Sequence, residues 1–316
     1  MDQRVYGVIG ISSIMANWNA DFSGYPKTIS DGTTFGSDKA LKYPMKKMWE
    51  NEGKKVLYIK SMTVDKGKKG DVSIIPRSLK ERYDFLFLDT KLDDCKDATI
   101  VLKNLFSATD VKNFGATFAE SKNNISITGA VQIGQGFNKY KDSQPQEQPI
   151  LSPFRDPGKK TEDGDEAKSS TLGTKIVSDE AHYFYPFVVN PMAYREFVDM
   201  EVTDGYTTDD YASFKKAALS SATSFATNAK AGCENEFALF VETDIDAYLP
   251  NLSEYIMFDK GENKNIISIQ CGELLNGLKD RISSIEVYYN SYTTEIQMDT
   301  EIQGAKYFNI FTEKEV

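Results

Sequence analysis

Lys39, Lys42 and Lys46 are spaced by three and four residues, which in a helix places their ammonium groups on one stripe. Lys47 stands beside them, and Lys27 lies in the polar loop that comes before. Cations repeated at successive turns can follow the evenly spaced phosphates of a nucleic-acid strand, and such contacts position the strand without reading its bases. Ser37 precedes the run as a helix N-cap, and its hydroxyl and the first helical amides can bind one more phosphate. Gln132, Gly134 and Gly136, in VQIGQG, suit the same ligand, because glycine lets another backbone approach the main chain closely. Taken one at a time, each of these features also fits an ordinary solvated surface.

Other chemistries find no footing. There is no Ser/His/Asp constellation, P-loop or dinucleotide fingerprint: Gly129, Gly134 and Gly136 have the wrong spacing and end a strand without opening a helix. The lone histidine, His182, sits in the aromatic run AHYFYPFVV and is read as a packed structural side chain. Asp163, Asp165 and Glu166 lack the spacing of a calcium loop and are read as solvated. Cys95, Cys233 and Cys271 are odd in number and without metal-ligand spacing, which fits a reduced cytoplasm. No cofactor and no metal site are expected. No run of about 18 apolar residues is present, and the N-terminus reads as a strand and not as a signal peptide. The formal net charge of −10 argues against a polyanionic partner, but its distribution reverses that. Residues 1–82 hold 15 Lys and Arg against 9 Asp and Glu, and the rest of the chain holds 22 against 38. One face can therefore be basic while the whole molecule is acidic.

The elements that must carry these residues follow from periodicity. Residues 4–13 read as a buried strand, 17–36 as a Gly-, Asn- and Ser-rich loop, and Ser37 as the start of a helix with Leu41, Met45, Met48 and Trp49 toward a core. Pro44 should kink this helix or limit its first segment, and Gly53 should end it. A strand is expected over 55–61, a basic turn over 65–70, a helix over 93–108, and an extended piece at DVKNFG. From Ile125 a strand, ISITGAVQIGQG, runs into an excursion that holds four of the ten prolines, at 145, 149, 153 and 157. It can be neither a central strand nor a stable helix; a loop of that length is either functional or disordered, and here it has the look of a protruding arm. Residues 175–190 return as a strand interrupted before 183, and 208–229 form a helix capped by Thr208. Strands are expected over 237–243, 266–270, 284–289 and 295–298. The order suggests an α+β fold of two interleaved βαβ-like halves in a ferredoxin-like sheet.

Four segments in order carry a family resemblance. They are GYPKTISDGTTFG; the helix entry SDKALKYPMKK, similar to S-x-x-x-L-K; DVKNFGATFAESKNNISITGAVQIGQG, similar to D-V-R-x-F-G followed by T-G-P-V-Q; and SSTLGTKIVSDEAHYFYPFVVNP. They cover most of residues 4–192, and the chain resembles the backbone subunit of type I CRISPR surveillance complexes (Cascade), most of all the type I-B form. Ala130 replaces a frequent proline, and the C-terminal third is similar only in its order of helix and strands. The resemblance implies a single RNA-recognition-motif-like palm over 1–316, with a fingers insertion over 62–124 and a long thumb over 134–173. It also implies a non-catalytic, cytoplasmic protein whose copies polymerise as a helical filament along one CRISPR guide RNA. Each thumb would displace a guide base at a regular interval and leave the rest to pair with target DNA. Other Cascade subunits would be further partners. By the same resemblance Lys27, Ser37, Lys39, Lys42, Lys46 and Lys47 contact the guide backbone, and Gln132, Gly134 and Gly136 lie at the thumb base. Leu172 is the expected wedge, Phe154 a second choice, and Thr174 and Lys175 lie on the returning limb. The rival reading is a metal-dependent endoribonuclease, as in type III backbone subunits, with Asp21 or Asp31 as its loop aspartate. A third is a free-standing structural or processing protein that does not polymerise.

Overall fold

In the computed structural model, residues 1–67, 71–151 and 172–316 are described, residue 172 in its backbone alone. β1 (Gln3–Ala16) is buried without a break from Val5 to Ile11, the pattern of a strand covered on both faces. The loop after it touches the main sheet through the short β2 (Phe35–Gly36). Ser37 then caps α1 (Asp38–Asn51), its hydroxyl accepting from the Ala40 amide. Leu41, Met45 and Trp49 are buried, with Met48 packed at the edge of the same core. The helix runs on through Pro44, so the proline does not limit its first segment, and Gly53, at φ 79°, turns the chain away.

The expected strand at 55–61 does not form. The amides of Leu57 and Tyr58 donate instead to the two carboxylate oxygens of Asp110, at 2.7 and 2.8 Å, so no sheet neighbour is needed. β3 (Met62–Lys66) and β4 (Val72–Pro76) make a hairpin, followed by α2 (Leu79–Leu86) with a Ser78–Glu81 capping box. The helix expected over 93–108 is shorter, α3 (Ala98–Ser107), because Asp97 caps it. DVKNFG is not extended: it lies in α4 (Thr109–Phe114), with Asp110 in the first turn and Gly115, at φ 81°, as the stop. β5 (Gly115–Phe118) pairs with β6 (Ile125–Thr128). The single strand expected from 125 is therefore split, because β6 leaves to join β5 while β7 (Val131–Ile133) and β8 (Gly136–Asn138) join the main sheet.

β9 (Pro145–Leu151) pairs with the outer part of β10 (Leu172–Val189) to form the described part of the arm. As an edge strand it tolerates Pro145 and Pro149. β10 is continuous, without the interruption expected before 183, because its inner part is held along β1 from Ser178 to Val189. After α5 (Arg195–Asp199), α6 (Thr208–Ser224) is capped by Thr207, one residue earlier than expected, in a box with Asp210. It ends five residues early. Asn235, on β11 (Cys233–Asp244), accepts from the Ala222 amide and donates to the Ala218 carbonyl, two groups that an undisturbed last turn would have joined to each other. β12 (Ile256–Asp259), β13 (Asn265–Ile269), α7 (Gly272–Gly277), β14 (Ile282–Tyr289), β15 (Thr294–Met298) and β16 (Ala305–Asn309) complete the chain.

The main sheet runs β16-β14-β11-β1-β10-β8-β2, with β7 and β9 also on β10. The chain passes from β1 to β7 and β8 through α1 and the whole stretch from β3 to β6, with β10 between them in the sheet, and α6 lies on the connection from β10 to β11 with β1 between them. The sheet has a core on each face. Ile9, Ile11, Tyr185 and Phe240 pack with Leu41, Met45, Phe214 and Ala218 of α1 and α6. Val8, Phe184, Leu239 and Val287 pack with Ile256, Phe258 and Ile267 of the small β12-β13-β15 sheet. Among the described residues no helix is long and apolar enough to cross a membrane.

Candidate nucleic-acid interface

One flank of α1 faces α4, β5 and β6 across an open groove of about 670 Å³. Lys39, Lys42 and Lys46 all line it, as their spacing requires, together with Asp38, Tyr43, Tyr58 and Phe114. The Lys42 ammonium is 2.9 Å from Asp38 and 5.1 Å from the centre of the Phe114 ring. Lys46 donates to the Tyr58 carbonyl at 3.2 Å and stands 3.8 Å from buried Asp110. Burial pulls the Lys46 pKa down against the opposing pull of Asp110. The Tyr58 hydroxyl donates to the Thr117 carbonyl, and burial, reinforced by Asp110, pushes its pKa up to about 12. Lys39 is exposed on the same rim and makes no ion pair among the described residues. Three cations against Asp38 and Asp110 leave the groove with an excess of positive charge.

The other predicted residues do not all gather here. Ser37 is next to the groove, but its hydroxyl is engaged as the helix cap and its amide donates to Asn19. Lys47 is not on the groove and is held by Glu50 at 2.6 Å. Lys27 lines a separate recess of about 450 Å³ with Phe22, Thr28 and Phe35. Gln132 and Gly134 line a third, of about 380 Å³, beside Pro186 and Leu252. Gly136 is buried, and a Cβ there would lie 2.4 Å from the Tyr185 ring, so this glycine is required by packing. Thr174 is exposed on the arm opposite Pro149, and Lys175 is half-buried opposite Gln148. The Leu172 side chain and Phe154 lie outside the described residues.

Sequence reasoning missed Asp110, Tyr58 and Phe114. Two of these belong to DVKNFG, which drew attention only as a motif, because a helix of six residues has too little periodicity to be read. His182 is remote from the groove. It is 1% exposed, stacked on Phe258 at 3.6 Å, with Nδ1 2.8 Å from Glu236 and Nε2 3.2 Å from Glu180. Burial acts to lower its pKa, but the two carboxylates outweigh burial and the net direction is upward. Asp21 accepts from the Ser23 hydroxyl and amide and from the Tyr25 amide, and Asp31 accepts from the Thr33 amide. These bonds hold both carboxyls below the usual carboxylate range. Among the described residues no three His, Cys, Asp or Glu side chains are grouped to hold a metal ion.

The family described as CRISPR-associated protein Cas7 matches residues 3–281. A chain of a CRISPR RNA-guided surveillance complex, pre-nicking, is 14% identical and aligns over 96% of either chain, with a TM-score of 0.56. A chain of another CRISPR RNA-guided surveillance complex is 14% identical over 94% of this chain and 96% of its own, with a TM-score of 0.48. The first likeness is one of fold. No curated protein matches the chain.

Proposed function

This chain belongs to the CRISPR-associated protein Cas7 family, and on that premise we propose that it is the guide-RNA-binding backbone subunit of a CRISPR surveillance complex. The complex is of type I-B. Copies of the chain polymerise along one guide, kink it at regular intervals, present it to target DNA, and join other subunits of the complex. The observation that carries this reading is the groove along α1, with Lys39, Lys42 and Lys46 on one rim and the Tyr58 and Phe114 rings beside them. Cations and ring faces accept any base sequence, which a subunit repeated along a guide needs.

The two crossover units, β1–α1–β7/β8 and β10–α6–β11, support a palm like the RNA-recognition motif. The β3–β4 hairpin, α2, α3, α4 and β5, all between 62 and 124, are the fingers, and the β9–β10 arm is the described part of a thumb spanning 134–173. The subunit catalyses no reaction. In support, Asp21 and Asp31, the aspartates that the nuclease reading needs, have their carboxylates engaged in closing turns.

The test is guide retention by Lys39→Glu/Lys42→Glu. Loss of about tenfold or more at moderate salt is expected, and a wild-type salt slope near −2 if about three phosphates are neutralised. Retention and slope equal to wild type in the variant would remove the groove from the guide path. Incubation with complementary RNA and magnesium should leave that RNA whole, and regular cuts would favour the nuclease.

A further inference from the structure

We infer that Phe22 is a stacking platform for one nucleobase of a single strand, with Lys27 taking the adjoining phosphate. This rests on the reading of the chain as a guide-binding subunit and adds to it a site in the loop between β1 and α1.

Phe22 has the highest exposure of the described large apolar side chains, 113% of the reference value, so its ring stands wholly in water. The backbone beneath it is well held. Asp21 accepts from the Ser23 amide at 2.8 Å, the Ser23 hydroxyl at 2.7 Å and the Tyr25 amide at 3.1 Å. The Asp21 amide donates to the Tyr25 carbonyl at 2.8 Å, and the bridge between Ala20 and Pro26 closes the turn. A ring presented from such a turn meets a partner with little ordering left to do.

The surroundings select the partner. An aromatic anchor for another protein sits inside a water-excluding rim of further contacts. The neighbours of Phe22 on the turn are instead Asp21 and Ser23, and across the recess lie Lys27, Thr28 and the half-buried Phe35, whose ring packs toward Phe137 at 6.2 Å. Lys27 makes no ion pair among the described residues, so its charge is available to a phosphate. An exposed ring beside a cation that makes no ion pair is how single strands are held regardless of sequence, because every base has a π-face. The Asp21 charge is turned into its own three donors, which leaves the Lys27 side as the favourable one for phosphate. The same loop is pinned to the root of the arm: Asn17 donates to the Ile176 carbonyl at 3.1 Å, and the Tyr25 hydroxyl bonds Glu147 on β9. A strand passing between palm and arm meets Phe22 at that root.

The test uses the full chain and single-stranded RNA carrying one 5-iodouridine, stepped along the sequence, with irradiation and peptide mapping. The wild type should give a crosslinked peptide containing Phe22, and Phe22→Tyr should keep it. Phe22→Leu should abolish it and weaken RNA retention by about fivefold or more. A second arm places 5-iododeoxyuridine in a complementary DNA strand. A Phe22 crosslink there and not in the RNA assigns the stacked base to the target and leaves the platform standing. Crosslinks at other residues only, with RNA retained by wild type and Phe22→Leu alike, overturn the inference and spare the functional reading. Loss of self-association without nucleic acid in Phe22→Leu also overturns it and makes Phe22 a protein contact. RNA that the wild type does not retain at all brings down both.

Discussion

The groove beside α1 and the cluster around His182 are built from the same parts, cations held by carboxylates next to aromatic rings, but water reaches them differently. In the groove the side chains of Lys42 and Asp38 keep 16% and 26% of their exposure. A phosphate oxygen can take the place of Asp38 there, because this half-buried pair of neighbours on one helix turn still reaches solvent. Around His182 the side-chain exposures are 1% for the imidazole and 9% for Glu236. Phe258 lies over the ring, Tyr140 meets it edge-on, and Lys260 holds Glu180 from outside. No ligand can enter, so the same electrostatics become structural: the cluster ties β10, β11 and β12 together near the root of the arm. Exchangeable charge marks a binding surface, and sealed charge marks a joint.

The sharpest way to break this contrast is His182→Ala, which leaves the Glu236 carboxylate buried without its imidazole partner. A loss of about 3–5 kcal/mol in chemical denaturation is expected. RNA retention per folded molecule should not change. The same site sets a pH dependence. The folded pKa of His182 is raised above 6.5, so its stabilisation is complete below that pH and disappears as pH rises through the folded value. Wild-type stability should therefore fall on the alkaline side, and His182→Gln should flatten that limb. An unchanged limb would show that the joint does not titrate.

Asp110 combines the two roles within the groove, since it fixes residues 57 and 58 and faces Lys46. Asp110→Ala should cost about 2–3 kcal/mol through two orphaned amides and should weaken RNA retention as well. A variant that loses only one of the two would separate the roles. Lys42→Met keeps the stem over Phe114 and removes the charge, so stability should move by less than about 1 kcal/mol. RNA retention should fall by about threefold to tenfold, read by filter binding. Asp38→Asn gives the smallest effect and the most pointed one. It releases Lys42, and retention should rise by about twofold to fivefold. A fall would mean that Asp38 orients the lysine for the ligand and does not compete with it.

Much of the architecture was legible where local rules act alone. The Ser37 cap, the core stripe of α1, the buried β1 and most of the C-terminal strands follow from periodicity and capping. The lysine stripe was equally plain, since a helix of fourteen residues makes spacing into geometry. The misreadings have a common cause. Residues 55–61 look like a strand until a carboxylate from 53 residues away takes their amides, and α6 ends where Asn235 reaches into its last turn. Residues 125–138 look like one strand because nothing local says that β6 will turn to β5.

The sequence by itself determined that a row of cations would lie on one side of a helix and that one histidine would be packed among aromatics. Only the tertiary structure decided which cations remain exchangeable. Lys47 is held by a neighbour on its own helix, Lys46 by a carboxylate from α4, and Lys39 by none of the described groups. A charge becomes a binding group or a structural one through its distance to other charges and its access to water, and for Lys46 both depend on a residue far away along the chain.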